Sequence, residues 1–279
     1  MNQYERKDID KSREYIVSKS NQIVQKSRYD FSLSEQRTIA FICSMIKPIS
    51  ASERIREIPF QLEYEFRILD YVRICGLKDN GKLYEEVKST LKGLRDKSMW
   101  LTLPDGSETT VSWLAKVTTN KRSGIAKIRI DEDLVPYLFD LKERFLSYGL
   151  KNILNMKSQY SIRLYELLKS YHDMKIGQTD HRAIIDKLYK PKKISWTVDL
   201  QEFKKVLMVD TIKTYDNYAA FKRKVLDISQ KEINELTDIN IYFEPIRKGR
   251  KTVKLKIDII SKQPDAKRIA EIKNNELLK

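Results

Sequence analysis

Several things are scarce in this chain, and each scarcity removes a class of explanation. Glycine and proline number 8 and 7 in 279 residues, too few for long flexible linkers or low-complexity tracts. The two cysteines, Cys43 and Cys75, exclude a disulfide scaffold and have no zinc-ligand spacing. Both lie in apolar helical patterns and read as buried free thiols, as in a reducing compartment. No long uncharged apolar run exists to span a membrane, and the opening MNQYERKDID has no signal-peptide core and no lipidation signal. The expectation is a cytoplasmic protein with no membrane partner.

Chemical tools are equally sparse. No glycine-rich phosphate loop is present; Asn80-Gly81-Lys82 is too short and lacks its partner glycine. The only histidines are His172 and His181, and their spacing does not match the His-hydrophobe-His metal site of rolling-circle nicking enzymes. His172, near Asp173 at a helix end, reads as a surface residue. The 15 tyrosines have no Arg/His/Arg company of the kind a tyrosine recombinase needs. Asp131-Glu132-Asp133 reads as a helix cap rather than a metal site. Neither an enzyme nor a cofactor-binding protein is expected.

What the chain does have is positive charge, unevenly spread. The net charge is +15. Residues 1–150 carry 26 Lys and Arg against 22 Asp and Glu, net +4, whereas residues 151–279 carry 28 against 17, net +11. A polyanion bound by the second half accounts for the asymmetry better than solubility does. With 41% hydrophobic and 10% aromatic residues, the chain has enough apolar surface for one large or two ordinary domains.

The stretch Tyr215–Thr237 organises the second half. Wound as a helix, it places Phe221, Val225, Ile228 and Leu236 on one side, with Ile233 at the flank. Arg223, Lys224, Asp227, Gln230, Lys231 and Asn234 fall on the other. These residue types can pair with base edges in a major groove, and the cations can also neutralise phosphates. Ile239–Glu244 then alternates as a strand, Arg247–Lys251 forms a basic turn, and Thr252–Ile260 alternates again. A polar-faced helix followed by a hairpin with a basic tip is the layout of a winged helix.

The rest of the chain supplies supporting elements. Ile16–Lys26 reads as a short helix. Ser32 and Glu35 have capping-box spacing ahead of a helix that ends near Ile46, before Pro48. A strand at Glu57–Leu62, a helix at Phe66–Cys75 stopped by Gly76, a turn at Asp79-Asn80-Gly81 and a helix at Lys82–Lys97 follow. Strands are expected at Met99–Leu103, Thr110–Thr118 and Ile125–Ile130, and a helix at Asp131–Leu141. Lys157–Met174 reads as an amphipathic helix with Ile162, Tyr165, Leu168 and Tyr171 in register. A strand at Lys192–Val198 and a helix capped by Asp199 and running to Val209 complete the pattern. Helix, strand, helix, polar-faced helix, strand, turn, strand thus occurs twice, offset by about 137 residues. The fold expected is α+β, two tandem winged-helix domains, each a helical bundle with a small antiparallel sheet. The expected boundaries are a flexible 1–15, a first domain at 16–145, a second at 146–261 and a charged tail at 262–279.

Ser20-Asn21 together with Ser32-Leu33-Ser34-Glu35-Gln36-Arg37 resembles the N-terminal signature of the theta-type plasmid replication initiators, the iteron-binding Rep proteins. Tyr160-Ser161-Ile162-Arg163-Leu164-Tyr165-Glu166-Leu167-Leu168 resembles that family's second signature. Phe221-Lys222-Arg223 and Glu232-Ile233-Asn234 occupy the place of its recognition helix, and the resemblance covers roughly residues 16–260. It implies two winged helices that bind direct repeats in double-stranded origin DNA without catalysis. It also implies opening of an adjacent AT-rich segment, recruitment of a host initiator and helicase, and a switch between a self-repressing dimer and an active monomer. Carried onto this chain, base and phosphate contacts fall to Lys222, Arg223, Lys224, Asp227, Gln230 and Lys231. Arg247, Lys248, Arg250 and Lys251 would grip phosphate from the wing. In the first domain Lys88, Lys92, Arg95, Lys121 and Arg122 are the parallel candidates, although that half is only weakly basic and its strands are equally suited to dimerisation. The competing readings are a winged-helix transcriptional regulator without a replication role and a nicking or strand-transfer enzyme acting through a covalent tyrosine.

Overall fold

The computed structural model describes residues 15–48, 60–77, 81–141, 145–176 and 190–264. Two compact units divide the chain, Met1–Ile162 and Arg163–Lys279. The sequence pattern put the division at 145/146. A strand that the pattern did not register, Phe145–Gly149, pairs antiparallel with Ile16–Ser20 and so joins the first unit.

That pairing also corrects the reading of Ile16–Lys26 as one helix. Val17, Ser18 and Lys19 are buried as strand β1 (Ile16–Ser20), and only then does Ser20 cap a helix, α1 (Asn21–Lys26), its Oγ accepting from the Ile23 N–H at 3.2 Å. Both ends of the segment satisfy their backbone groups, one in a ladder and one in a helix. A two-residue strand β2 (Ser27–Arg28) leads on to α2 (Leu33–Met45). Here the capping box forms as expected. Glu35 N–H donates to Ser32 Oγ at 3.3 Å, and Ser32 N–H donates to Glu35 Oε2 at 2.7 Å.

Of the strand expected at Glu57–Leu62, residues 57–59 lie outside the described residues; the observed strand is β3 (Glu63–Arg67). Helix α3 (Ile68–Cys75) ends at Gly76, whose φ of 63° is a left-handed cap that other residues adopt at a cost. Asp79 and Asn80 of the expected turn fall outside the described residues. Helix α4 (Leu83–Asp96) buries Leu83, Val87, Leu91 and Leu94, the expected stripe.

Gly93 on α4 is where α2 and α4 meet. A Cβ built there would lie 2.4 Å from Glu35 Oε1. That oxygen belongs to a side chain, but Glu35 is buried and its other oxygen is held by Ser32 N–H and by Lys97 Nζ at 2.8 Å. Gly93→Ala is therefore expected to lower stability by about 1 kcal/mol, because the displaced carboxylate gives up the cap and outweighs alanine's better helix propensity. Urea unfolding measures this; a neutral or stabilising result would show that Glu35 swings aside freely.

The single strand expected over Thr110–Thr118 is broken at Trp113, which is buried between two ladders. Strands β4 (Ser98–Thr102) and β5 (Glu108–Ser112) form one sheet with β2, in the order β2-β4-β5. Strands β6 (Leu114–Asn120) and β7 (Ile125–Ile130) form another with β3, in the order β3-β7-β6. The helix expected over Asp131–Leu141 is a 3₁₀ turn, Glu132–Leu134, followed by the single α-turn α5 (Val135–Leu138). Asp131 caps it, accepting from Asp133 N–H at 3.1 Å, and Glu132 pairs with Arg129 at 2.6 Å. Those acids serve local structure, as the sequence suggested. Strand β8 (Phe145–Gly149) and the short α6 (Lys151–Leu154) follow.

Helix α7 (Gln159–Ile176) departs from the amphipathic expectation: Ser161 through Leu168 are all buried, Arg163 and Glu166 included. In the second unit β9 (Lys193–Asp199) leads to α8 (Leu200–Val206), whose N-terminal N–H groups, on Gln201 and Glu202, donate to Asp199 Oδ1. A further helix, α9, is continuous from Tyr218 to Leu236 and precedes a long hairpin of β10 (Ile239–Lys248) and β11 (Lys251–Ser261). The sheet order is β9-β11-β10. This repeats β3-β7-β6: the strand before the helix pair pairs with the last strand, and the other arm of the hairpin lies outside. Equivalent elements are about 130 residues apart, as β3 and β9 show. Among the described residues the β4–β5 hairpin occurs in the first unit and has no counterpart in the second. Two winged helices is the architecture.

Candidate nucleic-acid interface

The candidate reading surface is α9, and its geometry turns on an irregularity in its second turn. The helix begins at Tyr218 rather than Tyr215. Residues Lys213–Asp216 form a 3₁₀ turn, and the Asn217 side chain accepts from Ala219 and Ala220 N–H at 2.8 and 3.2 Å. Tyr218–Phe221 is α-helical, Lys222–Leu226 is a π-turn, and Asp227–Leu236 is α-helical again. A π-turn takes in one more residue than an α-turn, so every side chain beyond it is set back by about 100°, one residue's angular step.

The consequence is visible in burial. Phe221, Val225, Leu226, Ser229 and Ile233 are buried, whereas Ile228, expected on the core side, is 43% exposed. The exposed face is Arg223, Lys224, Asp227, Ile228, Lys231 and Glu235. Of the expected readers, Lys222 and Gln230 are half-buried at its margins. Asn234, placed on the polar face by sequence, is committed to the fold. Its Nδ2 donates to Ile241 O at 3.1 Å and its Oδ1 accepts from Ile241 N–H at 2.7 Å, clamping α9 to β10.

Electrostatics separate the two sets of candidates. In α9, Lys222 pairs with Asp227 at 2.5 Å. Arg223, Lys224 and Lys231 make no ion pair among the described residues, and neither do Arg247, Lys248, Arg250 and Lys251. The last four are all exposed at the hairpin tip, where Lys248 and Lys251 face each other across a two-residue turn begun by Gly249, φ 59°. The first-unit candidates are largely neutralised. Lys88 lies 3.9 Å from Glu85 and Lys121 lies 3.5 Å from the same carboxylate; Lys92 pairs with Asp96, and Arg95 lies 3.7 Å from Asp96. Arg122, at the β6–β7 turn, has no ion pair among the described residues. Of the candidate cations, seven on α9 and its wing, but only Arg122 in the first unit, have no ion pair among the described residues.

Two supports behind α9 were not apparent from sequence. Lys204 of α8 is buried; its Nζ donates to Tyr215 O at 2.6 Å and lies 5.5 Å from the centre of the Phe221 ring. Burial pulls its pKa below the usual lysine range, offset only partly by Asp216. It anchors the chain entering α9. A lysine four residues after Leu200, on the same side as Phe203, was the available signal. At the other end Lys262 Nζ donates to Asn234 O at 2.5 Å and Thr237 O at 2.7 Å, capping the last carbonyls.

His172 corrects another expectation. It is fully buried, with Nδ1 3.1 Å from Asp173 Oδ1 and Nε2 3.1 Å from the carbonyl oxygen of Lys192. It joins α7 to the residue before β9 and is a structural joint. His181 lies outside the described residues. Cys43 and Cys75 are buried thiols not joined in a disulfide. No helix among the described residues is long and apolar enough to cross a membrane.

Residues 16–169 match the family described as initiator replication protein, WH1, and residues 199–259 match initiator Rep protein, WH2. A replication initiation protein of Escherichia coli is 26% identical over 273 residues, covering 95% of this chain and 75% of its own length. The PI protein of Escherichia coli is 25% identical over 202 residues, 66% of this chain and 62% of that one. Among solved structures, the Pi initiator protein in complex with iteron DNA superposes with a TM-score of 0.65 at 18% identity, covering 90% of this chain and 99% of that one.

Proposed function

The chain belongs to the family of initiator replication proteins, and from that premise we propose that it binds direct repeats in double-stranded plasmid origin DNA and initiates replication there. Helix α9 enters the major groove. Arg223, Lys224 and Lys231, with Asp227 and Gln230, meet base edges and flanking phosphates, and Lys222 adds a phosphate contact at the margin. The tip residues Arg247, Lys248, Arg250 and Lys251 lie along the adjoining backbone. The observation that carries this reading is the unpaired charge: seven exposed cations on one helix face and its wing lack an acidic partner among the described residues. Leaving such charges unpaired serves a polyanion better than it serves the fold.

Bound protomers bend the DNA and strain an adjacent AT-rich segment, where unstacking costs least. Host initiator and helicase are then recruited to the opened strands. The first unit makes a lighter contact through Arg122, Lys121, Lys88, Lys92 and Arg95, since most of its cations are already paired. Exposed surface ion pairs are worth little and can exchange for phosphate. The β4–β5 hairpin, which has no counterpart among the described residues of the second unit and bears Trp100 at 49% exposure, supports assigning dimerisation to the first unit. In that form the protein represses its own gene.

The test is a salt series with DNA from beside the gene, comparing its tandem repeats with a scrambled duplex of equal length. Preference for the repeats that persists at high salt is expected. Arg223→Ala and Lys231→Ala should each cost roughly 1–3 kcal/mol on the repeats and little on scrambled DNA. Equal weakening on both DNAs would reassign those residues to phosphate. Binding only to a lone inverted repeat over the promoter would replace the initiator with a regulator.

A further inference from the structure

The exposed Ile228 is out of place on a charged helix face, and the π-turn is what puts it there. With uninterrupted α-helical phase it would join Phe221 and Val225 in the core. With the π-turn, Ser229 takes the buried position and Ile228 stands among Lys224, Asp227 and Lys231. It is the only large apolar side chain exposed on α9 among the described residues. π-Turns are rare and disrupt the hydrogen-bond ladder, so one that trades a buried isoleucine for a buried serine gives up packing.

Resting on the reading of α9 as the groove-facing helix, we propose that Ile228 is a specificity-determining residue that packs against the 5-methyl group of a thymine. In the major groove each base pair presents a distinct edge, and the thymine methyl is its one apolar feature. The cations around Ile228 can hold the backbone and guanine edges but cannot distinguish thymine from cytosine by its methyl group. A branched aliphatic side chain can. The face would then read hydrogen-bond acceptors, through its cations, and one methyl together.

The experiment uses the full-length protein and repeat DNA in which each thymine in turn is replaced by deoxyuridine, which removes only the methyl. One or two positions are expected to weaken binding about fourfold, the equivalent of one buried methyl at ~0.8 kcal/mol. Ile228→Ala should lose a similar factor on thymine DNA and become indifferent to uracil at those positions. Its circular dichroism and unfolding midpoint should stay unchanged, since the side chain is exposed. Wild-type protein that prefers repeats over scrambled DNA yet binds thymine and uracil forms equally would overturn the proposal and leave the DNA-reading assignment standing. Loss of the preference for repeats in the wild type would overturn both. Uracil sensitivity that persists in Ile228→Ala would assign the methyl contact to another residue and also overturn the proposal.

Discussion

Alanine at Arg247, Lys248, Arg250 and Lys251 together is expected to flatten the salt dependence of DNA binding by up to about 3.6 in the slope of log K against log salt. The figure follows from about 0.9 for each phosphate that is no longer neutralised. At ~0.1 M salt this corresponds to an affinity loss on the order of 10³-fold, on specific and scrambled DNA alike. All four side chains are exposed and free of ion pairs among the described residues, so folding should not suffer. Gly249 is kept because its φ of 59° begins the turn that sets the tip. Binding isotherms from low to high salt supply the slope. An unchanged slope would take the wing out of the interface and leave α9 alone on the DNA. A large loss confined to the repeats would make the wing a base reader instead.

The second large effect concerns stability. Lys169 is only 12% exposed and bridges two carboxylates, Asp173 Oδ2 at 2.8 Å and Asp238 Oδ2 at 3.1 Å. Tyr165 OH donates to Asp238 Oδ1 at 2.8 Å, so α7 is tied at two points to the turn between α9 and β10. Burial opposes the lysine's charge, but Asp238 and Asp173 more than offset it and hold its pKa above the usual range. For Asp173, burial pushes upward while His172 and Lys169 pull its carboxyl below the ordinary value. Lys169→Met leaves both acids without their cation and is expected to cost about 3 kcal/mol, on the order of 10 °C in Tm.

The pH dependence has a definite sign. A depressed carboxylate contributes stability above its unfolded pKa of about 4 and loses it as pH falls through the lower folded value. A raised lysine contributes below its unfolded pKa of about 10.4 and loses it as pH rises through the folded value. The gap between wild type and Lys169→Met should therefore be widest in the neutral range. It should narrow once the pH drops below about 4, as Asp173 protonates. Urea unfolding at neutral and acid pH tests this. A gap below about 1 kcal/mol at neutral pH would mean that water already screens the network to the level of a surface pair.

The family signatures acquire a physical meaning in the structure. Ser20 and Ser32 cap helices, Glu35 closes the capping box and receives Lys97, and Arg37 donates to the carbonyl of Met156. In the second signature, Ser161 through Leu168 form a helix segment buried on all sides. Each of these residues is a joint of the scaffold. They were recognisable because a cap or a buried helix tolerates few residue types at fixed spacing.

Local chemistry in the sequence determined the helix starts at Ser32 and Asp199, the stop at Gly76, the hairpin around Gly249, the basic wing tip and the charge imbalance between the halves. Each depends on residues a few positions apart, whose hydrogen bonds and dihedral limits act wherever the chain goes. Tertiary structure alone decided the rest. Strand β1 forms because β8 reaches it from far along the chain, and Trp113 breaks a strand because two ladders compete for its flanks. His172 is buried because Lys192 and Asp173 meet its ring. The π-turn in α9 is the sharpest instance: helical periodicity assumes a constant step, and the extra residue taken in by that turn, which no local rule placed there, faces Ile228 outward.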